Sequence, residues 1–98
     1  MPHFLVEIVV ERALGGADLA DQRAFLNAAV AEGRIVLAGS LPERPGKGIA
    51  VLQADSAAEA RVFYQRSPLV ERGLISWTLT ELRIAFGQSP GPTDAGRS

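Results

Sequence analysis

From His3 to Arg12 the chain alternates with a period of two. Phe4, Val6, Ile8 and Val10 form one wholly apolar face, while His3, Leu5, Glu7, Val9 and Glu11 form a mixed one. A strand buried fully on one side and partly on the other has this pattern. Leu14-Gly15-Gly16 interrupts it. From Ala17 to Glu32 the period lengthens to that of a helix, and Gly33 stands where a left-handed cap is wanted. Leu19, Gln22, Phe25, Leu26, Ala29 and Val30 share one face of it, with Asp18, Asp21, Ala24, Ala28 and Glu32 turned away. Gln22 is the polar residue near the middle of the apolar stripe.

Alternation returns from Arg34 to Leu41, followed by the Pro- and Gly-punctuated loop Pro42 to Gly48 and a third strand from Ile49 to Ala54. That loop is a hairpin connection or a flap over a site. Ser56 with Glu59 three residues later makes a capping box for a second helix, whose inner face is Ala57, Ala60, Phe63 and Tyr64. Pro68 ends it, because the residue before a proline disfavours helical geometry. One short turn, Leu69 to Arg72, closes at Gly73. The fourth strand, Leu74 to Phe86, reads as apolar on both faces: Leu74, Leu82 and Ile84 on one, Ile75, Trp77 and Leu79 on the other. One domain covers 1–87, and the Pro-, Gly- and Ser-containing stretch 88–98 is expected to be a disordered tail.

The order β-α-β-β-α-β is that of an α+β ferredoxin-like sandwich. It predicts a four-stranded antiparallel sheet with two helices on one face, since the right-handed crossover rule puts both on the same side. The reverse face, carrying Leu5 and Val9, is then bare. Burying apolar surface gains roughly 25 cal/mol per Å², so the pattern predicts self-association as a homodimer or higher homo-oligomer.

Composition narrows the remaining choices. The 98 residues hold one domain, and 47% of them are apolar, which is ample for a core. The net charge of −1 provides no electrostatic footprint for nucleic acid or for an anionic membrane. With no cysteine and one histidine, His3, no disulfide, thiolate nucleophile, metal centre or cofactor is expected. The apolar run Phe4 to Val10 contains Glu7 and has no basic leader, so it reads as a strand and not as a signal peptide or membrane span. The expected location is cytoplasmic.

The run Ala24-Phe25-Leu26-Asn27-Ala28-Ala29-Val30-Ala31-Glu32-Gly33-Arg34-Ile35-Val36-Leu37-Ala38-Gly39 resembles the helix-to-strand signature of YCII-related proteins. Ser56-Ala57-Ala58-Glu59-Ala60, then Ser67-Pro68-Leu69-Val70 and Gly73, resemble that family's later stretch, and the resemblance covers roughly residues 4 to 86. It implies a dimeric α/β barrel and a small-molecule site built on a His–Asp pair. It also implies cofactor-free chemistry of lyase or isomerase type, with dehydrochlorination of chlorinated hydroquinones in a few relatives. The family's histidine falls on Gln22, its aspartate on Ser67, and a proline after the glycine turn on Ser40. An imidazole can take and return a proton near neutrality, whereas glutamine cannot titrate and a serine hydroxyl is no base unaided.

Two functional readings follow. In one, the chain binds a small aromatic or carboxylated metabolite in a cavity near the dimer interface, with Gln22 and Ser67 in place of the pair. In the other it is a non-catalytic structural or interaction homodimer with a filled interior. Gln22 is either a core glutamine satisfied by backbone or a polar anchor lining the cavity. Ser67 is either the N-cap of the turn after it or a hydroxyl that contacts substrate. Arg12 and Arg23 could each hold an anion by a forked hydrogen bond, and Trp77 and Tyr64 could wall a planar ligand. Glu7, the candidate catalytic residue, would become a general base if buried between two sheets. Its other role would be an ion pair across the dimer interface, for example with Arg34 or Arg83.

Overall fold

The computed structural model of the chain describes residues 1–87; the tail expected over 88–98 lies outside them. The elements follow in the order β1 His3–Val10, α1 Gly16–Ala31, β2 Ile35–Ser40, β3 Lys47–Gln53, α2 Ala57–Tyr64, α3 Pro68–Glu71 and β4 Ile75–Leu82. The sheet runs β2-β3-β1-β4, antiparallel throughout. This is the expected ferredoxin-like α+β fold.

Register decides which residues meet the helices. Phe4 stands opposite Leu52, and Val6 opposite Ala50 and Leu79. These side chains share one core with Ala29 of α1, Ala60, Phe63 and Tyr64 of α2, and Ile75 of β4, so both long helices lie on one sheet face. Each Val, Leu, Ile or Phe side chain among them withdrawn from water contributes about 1.5–3 kcal/mol, and each alanine less. On the reverse face lie Leu5, Glu7 and Val9 of β1, Ile49 and Val51 of β3, and Leu37 of β2.

The helix ends follow local chemistry. Asp18 accepts the Gly15 backbone N–H at 2.9 Å to start α1. Gly33, at φ 78°, turns the chain out of it, a conformation that costs a residue with a Cβ. Ser56 Oγ accepts the Glu59 N–H at 3.1 Å, while Glu59 Oε1 reaches the N–H of Asp55 and not that of Ser56.

Four expectations change. The first strand stops at Val10 because the next two N–H groups, of Glu11 and Arg12, both turn to the Leu74 carbonyl. The third strand begins at Lys47, so the loop is shorter than its Pro and Gly content predicted. The inner face of α1 is narrower than its wheel, since Leu19 and Val30 are 48% and 50% exposed. The fourth strand ends at Leu82, and its reverse face is Ser76, Thr78, Thr80 and Leu82, not an apolar run. Leu74 precedes the strand and packs on the core, while Ile84 and Phe86 are exposed beyond it. A strand at the sheet edge has one neighbour to pair with, and β1, ending at His3, offers nothing past Leu82.

Candidate functional site

Two polar residues are buried among the described ones, and they touch. Gln22 is 8% exposed, Ser67 is 0% exposed, and the Ser67 hydroxyl donates to Gln22 Oε1 at 2.8 Å. They are 45 positions apart in the chain. Gln22 reaches this place from the inner face of α1. Ser67 reaches it from the corner between α2 and α3, where its extended ψ of 132° suits the residue before a proline. Its backbone occupies the N-cap of α3, yet its side chain makes no cap bond. Gln22 is satisfied by this side chain and not by backbone, as one sequence reading had it.

Tyr64, the last residue of α2, completes the cluster. Phe25 meets its ring edge-on at 6.3 Å, and Trp77 lies at 5.1 Å on a tilt. Phe25 in turn stacks on Phe63 at 5.4 Å. The ring is wholly buried, and its hydroxyl has no partner with hydrogen-bond geometry. Burial pushes its pKa up to about 12, while the Gln22 amide beside it acts in the opposite direction.

An exposed clamp holds α3 against α1 one turn from Gln22. Arg72 donates to Asp18 at 2.8 Å and to Asp21 at 2.5 Å. The Gly15 N–H, and after it Arg72, hold the Asp18 carboxyl below its ordinary value, and the two carboxylates raise the Arg72 guanidinium above its own.

Gln22 and Tyr64 also line a cleft of about 430 Å³ between α1 and the β2–β3 hairpin. Ile8, Val10, Leu26, Ala38 and Ala50 give it apolar walls, and Gln22 and Tyr64 are among its polar lining. Gly48 lets the two strands of the floor approach closely, for a Cβ there would stand 2.9 Å from the Gly39 carbonyl oxygen. The cleft's one basic residue is Lys47. Its register opposite Val9 directs its side chain to the reverse face.

The structure thus brings Gln22 and Ser67 together and leaves the other candidates apart. Trp77 is half-buried behind Tyr64, not on the cleft wall, with Arg61 over its ring at 5.7 Å. Arg12 and Arg23 are exposed and line no part of the cleft. Glu7 is exposed on the reverse face, beside Ile49 and Thr78, with the sheet between it and Gln22. Among the described residues Glu7 makes no ion pair, and Arg34 pairs with Glu32. The cavity itself is on the helix side of the sheet, across from the face expected to self-associate. Tyr64 as a polar group and Arg72 as a clamp were missed. The single advance signal was the pair Asp18 and Asp21, one helical turn apart, with no Lys or Arg three or four positions after either on their own helix.

The described residues contain no helix long and apolar enough to cross a membrane, and no cluster of three or more potential metal ligands. What they define is a ferredoxin-like domain with a cleft under its first helix that Gln22 and Tyr64 help to line. A solved structure of similar fold is 5-chloro-2-hydroxyhydroquinone dehydrochlorinase (TftG) from Burkholderia phenoliruptrix AC1100, in complex with 2,5-dihydroxybenzoquinone. It is 17% identical over 81% of this chain and 93% of that one, with a TM-score of 0.59, a likeness of fold. No protein-family model matches the chain, and no curated protein matches it in sequence.

Proposed function

We propose that this chain is a YCII-related protein that binds a small aromatic or carboxylated molecule in the cleft that Gln22 and Tyr64 help to line. The observation that carries the reading is the buried bond between Gln22 and Ser67. The resemblance implies a catalytic pair at these two positions; they touch, and Gln22 also lines the cleft. The cleft is larger than the ~300 Å³ at which ligand pockets begin, and it has apolar walls, which favours binding over a filled interior. The similar fold that holds 2,5-dihydroxybenzoquinone supports a planar ligand of that size.

In this reading the site holds its ligand without moving a proton through the pair, because neither an amide nor an unactivated hydroxyl titrates near neutrality. Self-association belongs to the same proposal. Leu37 is half exposed on the reverse face, and Leu5, Val9 and Ile49 stand beside it partly exposed. The face suits a second copy, with Glu7 at its centre.

The test is a chemical-shift titration of the 15N-labelled protein with a panel of small aromatic acids and hydroxybenzoquinones, together with sedimentation equilibrium. Shifts should concentrate at Ile8, Leu26 and Ala38 and vanish in Ala38→Trp, which fills the cleft. No saturable shift at millimolar ligand would sink the binding claim. A monomer at tens of micromolar would sink the dimer.

A further inference from the structure

We infer a second binding site outside the cleft, a hollow beside α2 where Arg34 and Arg66 hold the carboxylate of a small organic acid and Val62 takes its hydrocarbon. The hollow, of about 460 Å³, shares no lining residue with the cleft. The two sites therefore stand or fall separately.

Phe63 gathers the charges. Its ring is buried and stacked on Phe25 at 5.4 Å, which fixes its position. The Arg34 guanidinium carbon stands over that ring at 5.0 Å and the Arg66 carbon at 5.7 Å. No other ring among the described residues carries two guanidiniums. Two cations drawn to one ring repel each other, and an anion shared between them removes that cost. A guanidinium attracted to a ring by its charge keeps its N–H donors, which lie in its own plane and match a carboxylate two at a time.

The protein leaves these donors largely unspent. Arg66 makes no ion pair among the described residues. Arg34 meets Glu32 through Nε at 3.4 Å, with both side chains more than half exposed, and such a contact contributes little. Glu59 is the one carboxylate in the lining, and its Oε1 accepts the Asp55 N–H at 3.3 Å beside the cap of α2. The lining thus sets two positive charges against one negative.

The remaining lining defines the body of the ligand. Val62 is 63% exposed on α2, and Ala58 stands one turn before it. A short hydrocarbon chain covers this apolar strip while its carboxylate reaches the guanidiniums. The cleft offers an acid no such anchor, since the side chain of its one basic residue, Lys47, leaves on the reverse face.

The experiment titrates the full 15N-labelled chain with hexanoate, hexan-1-ol and acetate, following backbone amides and the arginine Nε–Hε signals. Hexanoate should move Ala58, Glu59, Val62 and both arginine signals, and bind about tenfold more tightly than hexan-1-ol. Acetate should bind more weakly than hexanoate, and Val62→Ser should close that gap. Arg34→Gln and Arg66→Gln, at exposed positions that leave the fold intact, should each lower hexanoate affinity about threefold or more. Glu32→Gln should raise it by freeing Arg34 of a competitor. Ala38→Trp, which fills the cleft, should leave it unchanged.

Hexanoate binding no tighter than hexan-1-ol, or unmoved in both arginine variants, would overturn the site. So would the absence of any saturable shift at tens of millimolar. Shifts confined to Ile8, Leu26 and Ala38 and lost in Ala38→Trp would put the acid in the cleft, overturning the hollow and supporting the cleft. Should a variant lose its fold, the parent chain decides: hexanoate affinity should fall between about 20 and about 500 mM sodium chloride, and an unchanged affinity would exclude the guanidiniums as its anchor.

Discussion

Tyr64 is the only tyrosine in the chain, so its ionisation can be watched alone. Its hydroxyl is buried among Phe25, Trp77 and the Gln22 amide with no acceptor, and burial raises its pKa from 10.0 to about 12. A group whose folded pKa is raised contributes stability that is complete below the unfolded value and lost as pH climbs through the folded one. The window is therefore alkaline, from about pH 10 to about pH 12. The elevation is worth about 2.7 kcal/mol when complete, and about 1.4 kcal/mol of it is gone by pH 11. The assay is absorbance at 295 nm against pH, beside urea midpoints for the parent and Tyr64→Phe at pH 7, 10 and 11. The variant stays folded at pH 7, because its hydroxyl has no bond to lose, and it should outlast the parent by about that amount at pH 11. A midpoint near 10 in a protein still folded by circular dichroism would refute the burial and remove the orphan donor with it.

The remaining predictions concern the supports of the cleft. Ser67→Ala leaves Gln22 Oε1 buried without a donor, and should cost about 1–3 kcal/mol. For a domain of this size that is roughly 4–8 °C in Tm per kcal/mol. Adding Gln22→Leu should recover most of it, and a double-mutant coupling below about 0.5 kcal/mol would show the bond to be idle. Gly48→Ala drives a Cβ to 2.9 Å from the Gly39 oxygen, and should lower stability by about 1–3 kcal/mol through backbone displacement; an unchanged urea midpoint would contradict the close approach. The Asp18 carboxyl is held below 3.8 by the Gly15 N–H and Arg72. A lowered carboxyl stabilises above that value and loses its contribution as pH falls through its folded pKa. Asp18→Asn should flatten the acid limb of the urea midpoint below pH 3.8; parallel limbs would show the clamp to be without effect.

Much of the fold was legible because period alone carries it. Phe4, Val6, Ile8 and Val10 could only be a strand face, and Gly33 and the Ser56–Glu59 spacing mark helix ends by local chemistry that any context preserves. The errors fell where partners, not period, decide. Thirteen residues from Leu74 to Phe86 look strand-like, but strand length is set by the neighbour available, and β1 runs out opposite Leu82. Leu19 and Val30 fit the wheel of α1, but nothing among the described residues packs over them and both are about half exposed.

The site divides along the same line. The chain alone marks Gln22 as a polar residue in an apolar stripe, and marks Ser67 by the proline behind it. Nothing in one dimension says that they meet, since the contact depends on how α1 and the α2–α3 corner cross the same sheet face 45 residues apart. Nor does any pattern show that the sheet separates Glu7 from them, or that a core tyrosine ends with an unspent proton donor. Hydrophobic periodicity is a local property and survives in sequence. The pairing of buried polar atoms is a property of the packed whole, because burial creates both the need for a partner and the choice of one.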